Sequence, residues 1–119
     1  MGLMMSYKLA LSFFLFVVGH WGIWYCHNSQ LVWEFWRERW ILPTFVFGVP
    51  ASFAFWWGTK FMMECVDTLW TVRFSTFALS YLTFPILTWW HLGESPFTLK
   101  TLICTILAIG MISTQFLLK

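Results

Sequence analysis

The sequence predicts an all-α integral membrane protein in which four transmembrane helices pack as an antiparallel bundle, and three observations predict it. The 119 residues are 60% hydrophobic and 10% charged, whereas a soluble domain is about a quarter charged. Mean hydropathy is +0.72. A spanning helix needs about 20 largely apolar residues, so a chain of this length holds at most about four. Four apolar runs are present, over about 7–26, 41–63, 68–90 and 96–118. Residues 1–119 therefore read as a single multi-pass membrane domain whose first partner is the lipid bilayer.

Composition also excludes several functions. A net charge of +2 with no basic cluster gives no footprint for nucleic acid. The three cysteines, Cys26, Cys65 and Cys104, are odd in number and far apart, which argues against a disulfide framework or a zinc site. No nucleophile-base pair, metal-ligand spacing or phosphate-binding loop occurs, so no enzyme, metal or cofactor is expected.

The first run carries Leu9, Leu11, Phe13, Phe14, Leu15, Phe16, Val17 and Val18 without a charge among them. It lacks a small-x-small cleavage pattern and is expected to be a retained helix, not a signal peptide. Gly19 and Gly22, three apart, put small residues on one face where another backbone could approach closely. His20 sits beside that face. It is either a histidine satisfied by a backbone carbonyl or a headgroup, or a titratable group in a polar cavity, since ionisable residues inside membranes are costly and often functional.

Trp33, Trp36 and Trp40 at i, i+3 and i+7 would share one face, with Glu34, Arg37, Glu38 and Arg39 mostly on the others. That spacing predicts an interfacial segment over about 29–39. The second run holds Pro43 and Pro50, and a bend is expected near Pro50. Lys60 is expected to snorkel. The connection from Met63 to Thr68 is short, so the second and third helices are expected to be antiparallel neighbours, with Asp67 or Thr68 as the cap.

Arg73 either snorkels, pairs with Glu64 or Asp67, or faces the interior. Ser75, Thr76, Ser80, Tyr81 and Thr83 make the third helix the expected wall of any lined cavity. Ser95 is expected to cap the fourth helix, with Pro96 at its first position. There Thr101 and Thr105, and Gly110 and Thr114, form two small-x-x-x-small pairs that mark a packing and assembly face.

Lys8, Lys60, Arg73 and Lys119 fall on the terminal side, and Arg37, Arg39 and Lys100 on the other. This small excess favours cytoplasmic termini and permits insertion both ways round.

Trp90-His91-Leu92-Gly93-Glu94 at the end of the third run, and Ile106, Leu107 and Gly110 in the fourth, resemble the drug/metabolite transporter superfamily. The nearest members in size are the small multidrug resistance proteins. In those families the third helix ends in a Leu-Gly-Glu-like turn and the fourth carries an apolar stretch ending in a packing glycine. The resemblance covers the chain from about Trp70 onward and rests before that on helix number and length. It implies a small transporter-like protein that moves a small metabolite or lipophilic cation as a homodimer, with His20, Trp21, Trp24 and Tyr81 as the cavity residues. Two departures stand out. The first helix has no acid where the resembling family carries a proton- and substrate-binding glutamate, which leaves His20 as the ionisable group at comparable depth. Ile103 replaces the first glycine of the last-helix motif. The other expectation is a non-catalytic accessory subunit of a larger membrane complex, for which ten tryptophans and fourteen phenylalanines are suited.

Overall fold

The computed structural model describes residues 2–118; Met1 and Lys119, the latter counted in the charge tally, lie outside them. All regular structure among the described residues is helical: α1 (Gly2–Val32), a short 3₁₀ turn (Glu34–Trp36), α2 (Ile41–Met63), α3 (Leu69–Leu92) and α4 (Leu99–Leu117). Three stretches, Ser6–Val32 of α1, α2 and α4, are long and apolar enough to cross a membrane.

Helix α1 continues six residues past the end expected at Cys26. No glycine or proline follows Gly22 to stop it, and the polar run His27-Asn28-Ser29-Gln30 is accommodated within the helix. Ser29 is buried and Gln30 Nε2 donates to the His27 carbonyl at 2.9 Å. The segment after it is not a continuous interfacial helix. Trp33 folds back onto Tyr25, their rings stacked at 5.8 Å, Trp36 lies 5.4 Å from Phe47, and Trp40 is exposed. The three indoles therefore do not share a face, because the 3₁₀ turn replaces the 100° step that would align them.

In α2, the place where a bend was expected holds a π-helical turn over Thr44–Gly48. Pro50 has no N–H for the carbonyl four residues back, and the wider turn opens the ladder just before it. Thr68 caps α3, its hydroxyl accepting from the Thr71 N–H, and Gly93 ends it at φ +72°, a left-handed position that favours glycine. The cap of α4 is Thr98 and not Ser95. Ser95 Oγ instead accepts from Phe97 N–H in a local turn, so Pro96 lies outside the helix.

Helix α1 is the hub. On one stripe, Phe16 meets Gly58, Gly19 meets Phe55, Gly22 meets Ala51, and Cys26 meets Gly48. Numbers fall along α2 as they rise along α1, so the two run antiparallel. On the neighbouring stripe His20 reaches Thr76, Trp24 reaches Thr88 and Tyr25 reaches His91, so α3 runs parallel to α1. The expected pairing of the second and third helices is largely replaced by their separate packing on α1. A cleft of about 550 Å³ lies between them, lined by Thr59, Leu69, Trp70, Val72 and Arg73.

Helix α4 packs on α3, with Thr71 Oγ1 donating to Gln115 Oε1 at 3.0 Å. The less exposed positions of α4 are Thr101, Thr105, Ala108, Met111, Ile112, Ser113 and Gln115. Gly110 is two residues from Ala108, about 200° around the helix. It therefore points away from α3, and Thr114 is exposed with it. Buried Phe16, Met62, Val72 and Leu79 form the apolar core that ties α1, α2 and α3 together.

Candidate functional site

His20 and His27 are seven residues apart on α1 and so lie on one face. Both line a crevice of about 130 Å³ between α1 and α3, with Ile23, Trp24, Asn28, Ser80 and Phe84. Ile23 and His27 also line a larger pocket of about 690 Å³. This pocket is framed by the end of α1, the Trp36–Trp40 stretch and the start of α2. The small crevice thus adjoins the large pocket across shared side chains.

His20 Nε2 lies 2.7 Å from the Thr76 carbonyl oxygen. A carbonyl only accepts, so the neutral ring carries its proton on Nε2 and leaves Nδ1 as the nitrogen that gains or loses one. The ring is half-buried and meets Phe55 edge-on at 5.0 Å, so an apolar wall closes its α2 side.

Trp24 is buried and its Nε1 donates to Thr88 Oγ1 at 3.1 Å. Beside it, Tyr25 Oη and His91 Nε2 are 2.8 Å apart. Trp24 stacks on His91 at 5.3 Å, and Trp33 meets the same ring edge-on at 5.6 Å. This cluster locks α1 to the last turn of α3. The Tyr25–His91 pair was not legible in sequence, since its members are 66 residues apart. The one available signal is that both lie near helix ends on the same side once α1 and α3 are parallel.

Of the four residues expected around a cavity, His20 and Trp24 share the crevice and the other two do not join them. Trp21 turns outward and lines a shallow groove of about 270 Å³ against Phe47 and Pro50, and Tyr81 is exposed on α3. The separation follows from helix geometry: Trp21 is one residue, 100°, from His20.

The charged candidates also part company. Glu64 accepts from Lys8 at 2.5 Å and from Lys60 at 3.3 Å, and the Lys8 contact first, then Lys60, holds its carboxyl below the ordinary range. Arg73 lies over the Phe77 ring, 4.3 Å from its centroid, and takes no part in that network. Asp67 has no ion pair among the described residues.

No protein-family model, curated protein or solved structure matches the chain.

Proposed function

We propose that this is a four-span, multi-pass membrane protein with cytoplasmic termini that moves a small metabolite, exchanging a proton at His20 and working as a dimer. The observation that carries this reading is a pair of cavities that share Ile23 and His27 in their walls, the larger at the loop end and the smaller beside the His20 ring within the Ser6–Val32 stretch. His20 does meet a backbone carbonyl, the first of the two expectations for it, and its second ring nitrogen is what supports the titrating role. His20 holds one nitrogen on a carbonyl and keeps the other for the proton.

Counting α3 as the fourth span is supported by where its polar groups face. Thr71, Ser75, Thr83 and Thr88 are buried, while Phe77, Phe84, Ile86 and Trp89 are exposed. Mean hydropathy therefore understates how apolar its outer surface is. A metabolite is favoured over a lipophilic cation because the pocket presents Arg37 and Arg39 against Glu38 alone. At roughly 6 Å and an effective dielectric of about 20, one net positive charge costs an incoming cation on the order of 3 kcal/mol.

The test is reconstitution into proteoliposomes, with benzoate, hexyl phosphate and tetraphenylphosphonium as anionic and cationic probes and proton movement as the readout. Probe-dependent proton movement in the native chain, abolished in His20→Gln, is the expected result. Equal movement in both defeats the proposal.

A second reading, an accessory subunit, draws on one specific feature. Helix α4 turns Ile103, Ile106, Leu107, Gly110 and Thr114 outward, with nothing within 4 Å of a Cβ built at Gly110. Native mass analysis separates the two, since a homodimer supports the transporter and stoichiometric foreign chains support the subunit.

A further inference from the structure

The loop-end pocket contains an unusual hydroxyl. Ser12, Ser52, Thr76 and Thr105 each donate to the carbonyl four residues back in their own helix. This is the ordinary way to satisfy a helical hydroxyl away from water. Ser29 and Ser75 do not: the Oγ of each is buried without a hydrogen-bond partner among the described residues, and of the two only Ser29 borders a pocket. A buried polar atom left unpaired costs stability, and at Ser29 a water or a ligand oxygen in the neighbouring pocket would relieve it. Ser29 lines the 690 Å³ pocket.

Arg37 and Arg39 also line this pocket. Arg39 is positioned by its contact with the Phe35 carbonyl and by stacking 4.1 Å over the Phe35 ring. Neither Arg37 nor Arg39 forms an ion pair with a carboxylate among the described residues, although Glu38 lines the pocket too. Arginine presents a planar fork of donors suited to carboxylate and phosphate oxygens. Ile23, Pro43 and Val49 supply apolar wall in the same space.

We infer that this pocket binds an organic anion with an apolar portion, its charged head at Arg37, Arg39 and the Ser29 hydroxyl and its apolar part against Ile23, Pro43 and Val49. The inference rests on the transporter reading for its role as substrate site, but the binding it asserts is independent of transport. The same chemistry is offered by an anionic lipid headgroup and by a free organic anion.

The test is binding to the full chain in neutral detergent, read by native mass spectrometry. Dihexanoyl phosphatidylglycerol is paired with dihexanoyl phosphatidylcholine, and hexyl phosphate with hexylammonium, so each pair differs chiefly in the charge of its head. A preference of about tenfold or more for the anion in either pair is expected, the scale of one charge-assisted hydrogen bond. The pair that shows it identifies the source as membrane or solution. Arg37→Gln with Arg39→Gln abolishes the preference, and Ser29→Ala weakens anion binding a few-fold. Both arginines are exposed, so the double variant is expected to keep its circular dichroism spectrum; if it does not, Arg37→Gln alone decides. Equal binding within both pairs, or a preference untouched by the arginine variants, overturns the inference. Anion binding without His20-dependent proton movement leaves it standing while removing the proton-exchange reading.

Discussion

Substituting Gly58 by alanine is the most direct probe of how α1 and α2 are held together. A Cβ at Gly58 would lie 2.7 Å from Phe16 Cε1 and 2.9 Å from its Cδ1. Phe16 is 0% exposed, so its ring has no open space into which to withdraw. Overpacking of this kind costs about 1–3 kcal/mol, and the tight contact argues for the upper half of that range. The alanine returns up to about 1 kcal/mol of helix propensity. The net expectation is a loss of about 1–2 kcal/mol, measured by reversible unfolding in mixed micelles under conditions that keep the chain monomeric. Gly110→Ala is the matched control, since nothing lies within 4 Å of its Cβ, and it should be neutral or slightly stabilising. Adding Phe16→Leu to Gly58→Ala should cost less than the two separate losses combined, by about 0.5 kcal/mol or more, because the pair is in contact. Equal stability of Gly58→Ala and Gly110→Ala would refute the ring-on-glycine account of this interface.

Three further outcomes are expected. Thr88→Val leaves the buried Trp24 indole N–H without its acceptor and should destabilise the chain by about 1–3 kcal/mol in the same unfolding assay. Glu64 has its carboxyl held below the ordinary carboxylate range by Lys8 and then Lys60, so its stabilising contribution is complete above the unfolded value and is lost as pH falls through the lower folded one. Stability measured from pH 7 to pH 3 should therefore fall more steeply in the native chain than in Glu64→Gln, and parallel curves would count against the network. Leu107 is exposed on the same outward stripe of α4 as Gly110, so mild oxidation of a Leu107→Cys, Cys104→Ser variant reconstituted as a homodimer joined through that face should cross-link it, with Gly110→Leu reducing the yield; no cross-link in a dimer shown by mass would place its interface elsewhere.

The positions of the helices were legible in the sequence because long apolar runs separated by polar or glycine-proline turns leave few alternatives. Their ends were less so. His27-Asn28-Ser29-Gln30 looks like a loop by polarity, yet polarity alone does not stop a helix, and α1 runs on to Val32. Ser95-Pro96 has the form of a helix start, but Thr98 offers the same chemistry three residues later and is the cap. Within the site, His20 stood out as an ionisable residue in an apolar run. Its neighbours Ser80 and Phe84 come from another helix, and no local spacing could pair them with it. The small-residue pairs of α4 read alike in sequence. Only the direction from which α3 approaches separates half-buried Thr101 and Thr105 from bare Gly110 and Thr114.

The unequal lengths of α1 and α4 have a mechanical consequence. At about 1.5 Å per residue, the 31 residues of α1 extend about 46 Å and the 19 of α4 about 28 Å. A hydrocarbon layer of about 30 Å matches the shorter helix standing upright and is overshot by the longer. Thickening the bilayer would stretch lipid around α4 while drawing more of α1 out of water, and thinning it would do the reverse. Because α3 lies between the two, it would carry the resulting shear. Where both helices cross a membrane, its thickness would thus be coupled, through this mismatch, to how far the polar last turns of α1 stand above the lipid.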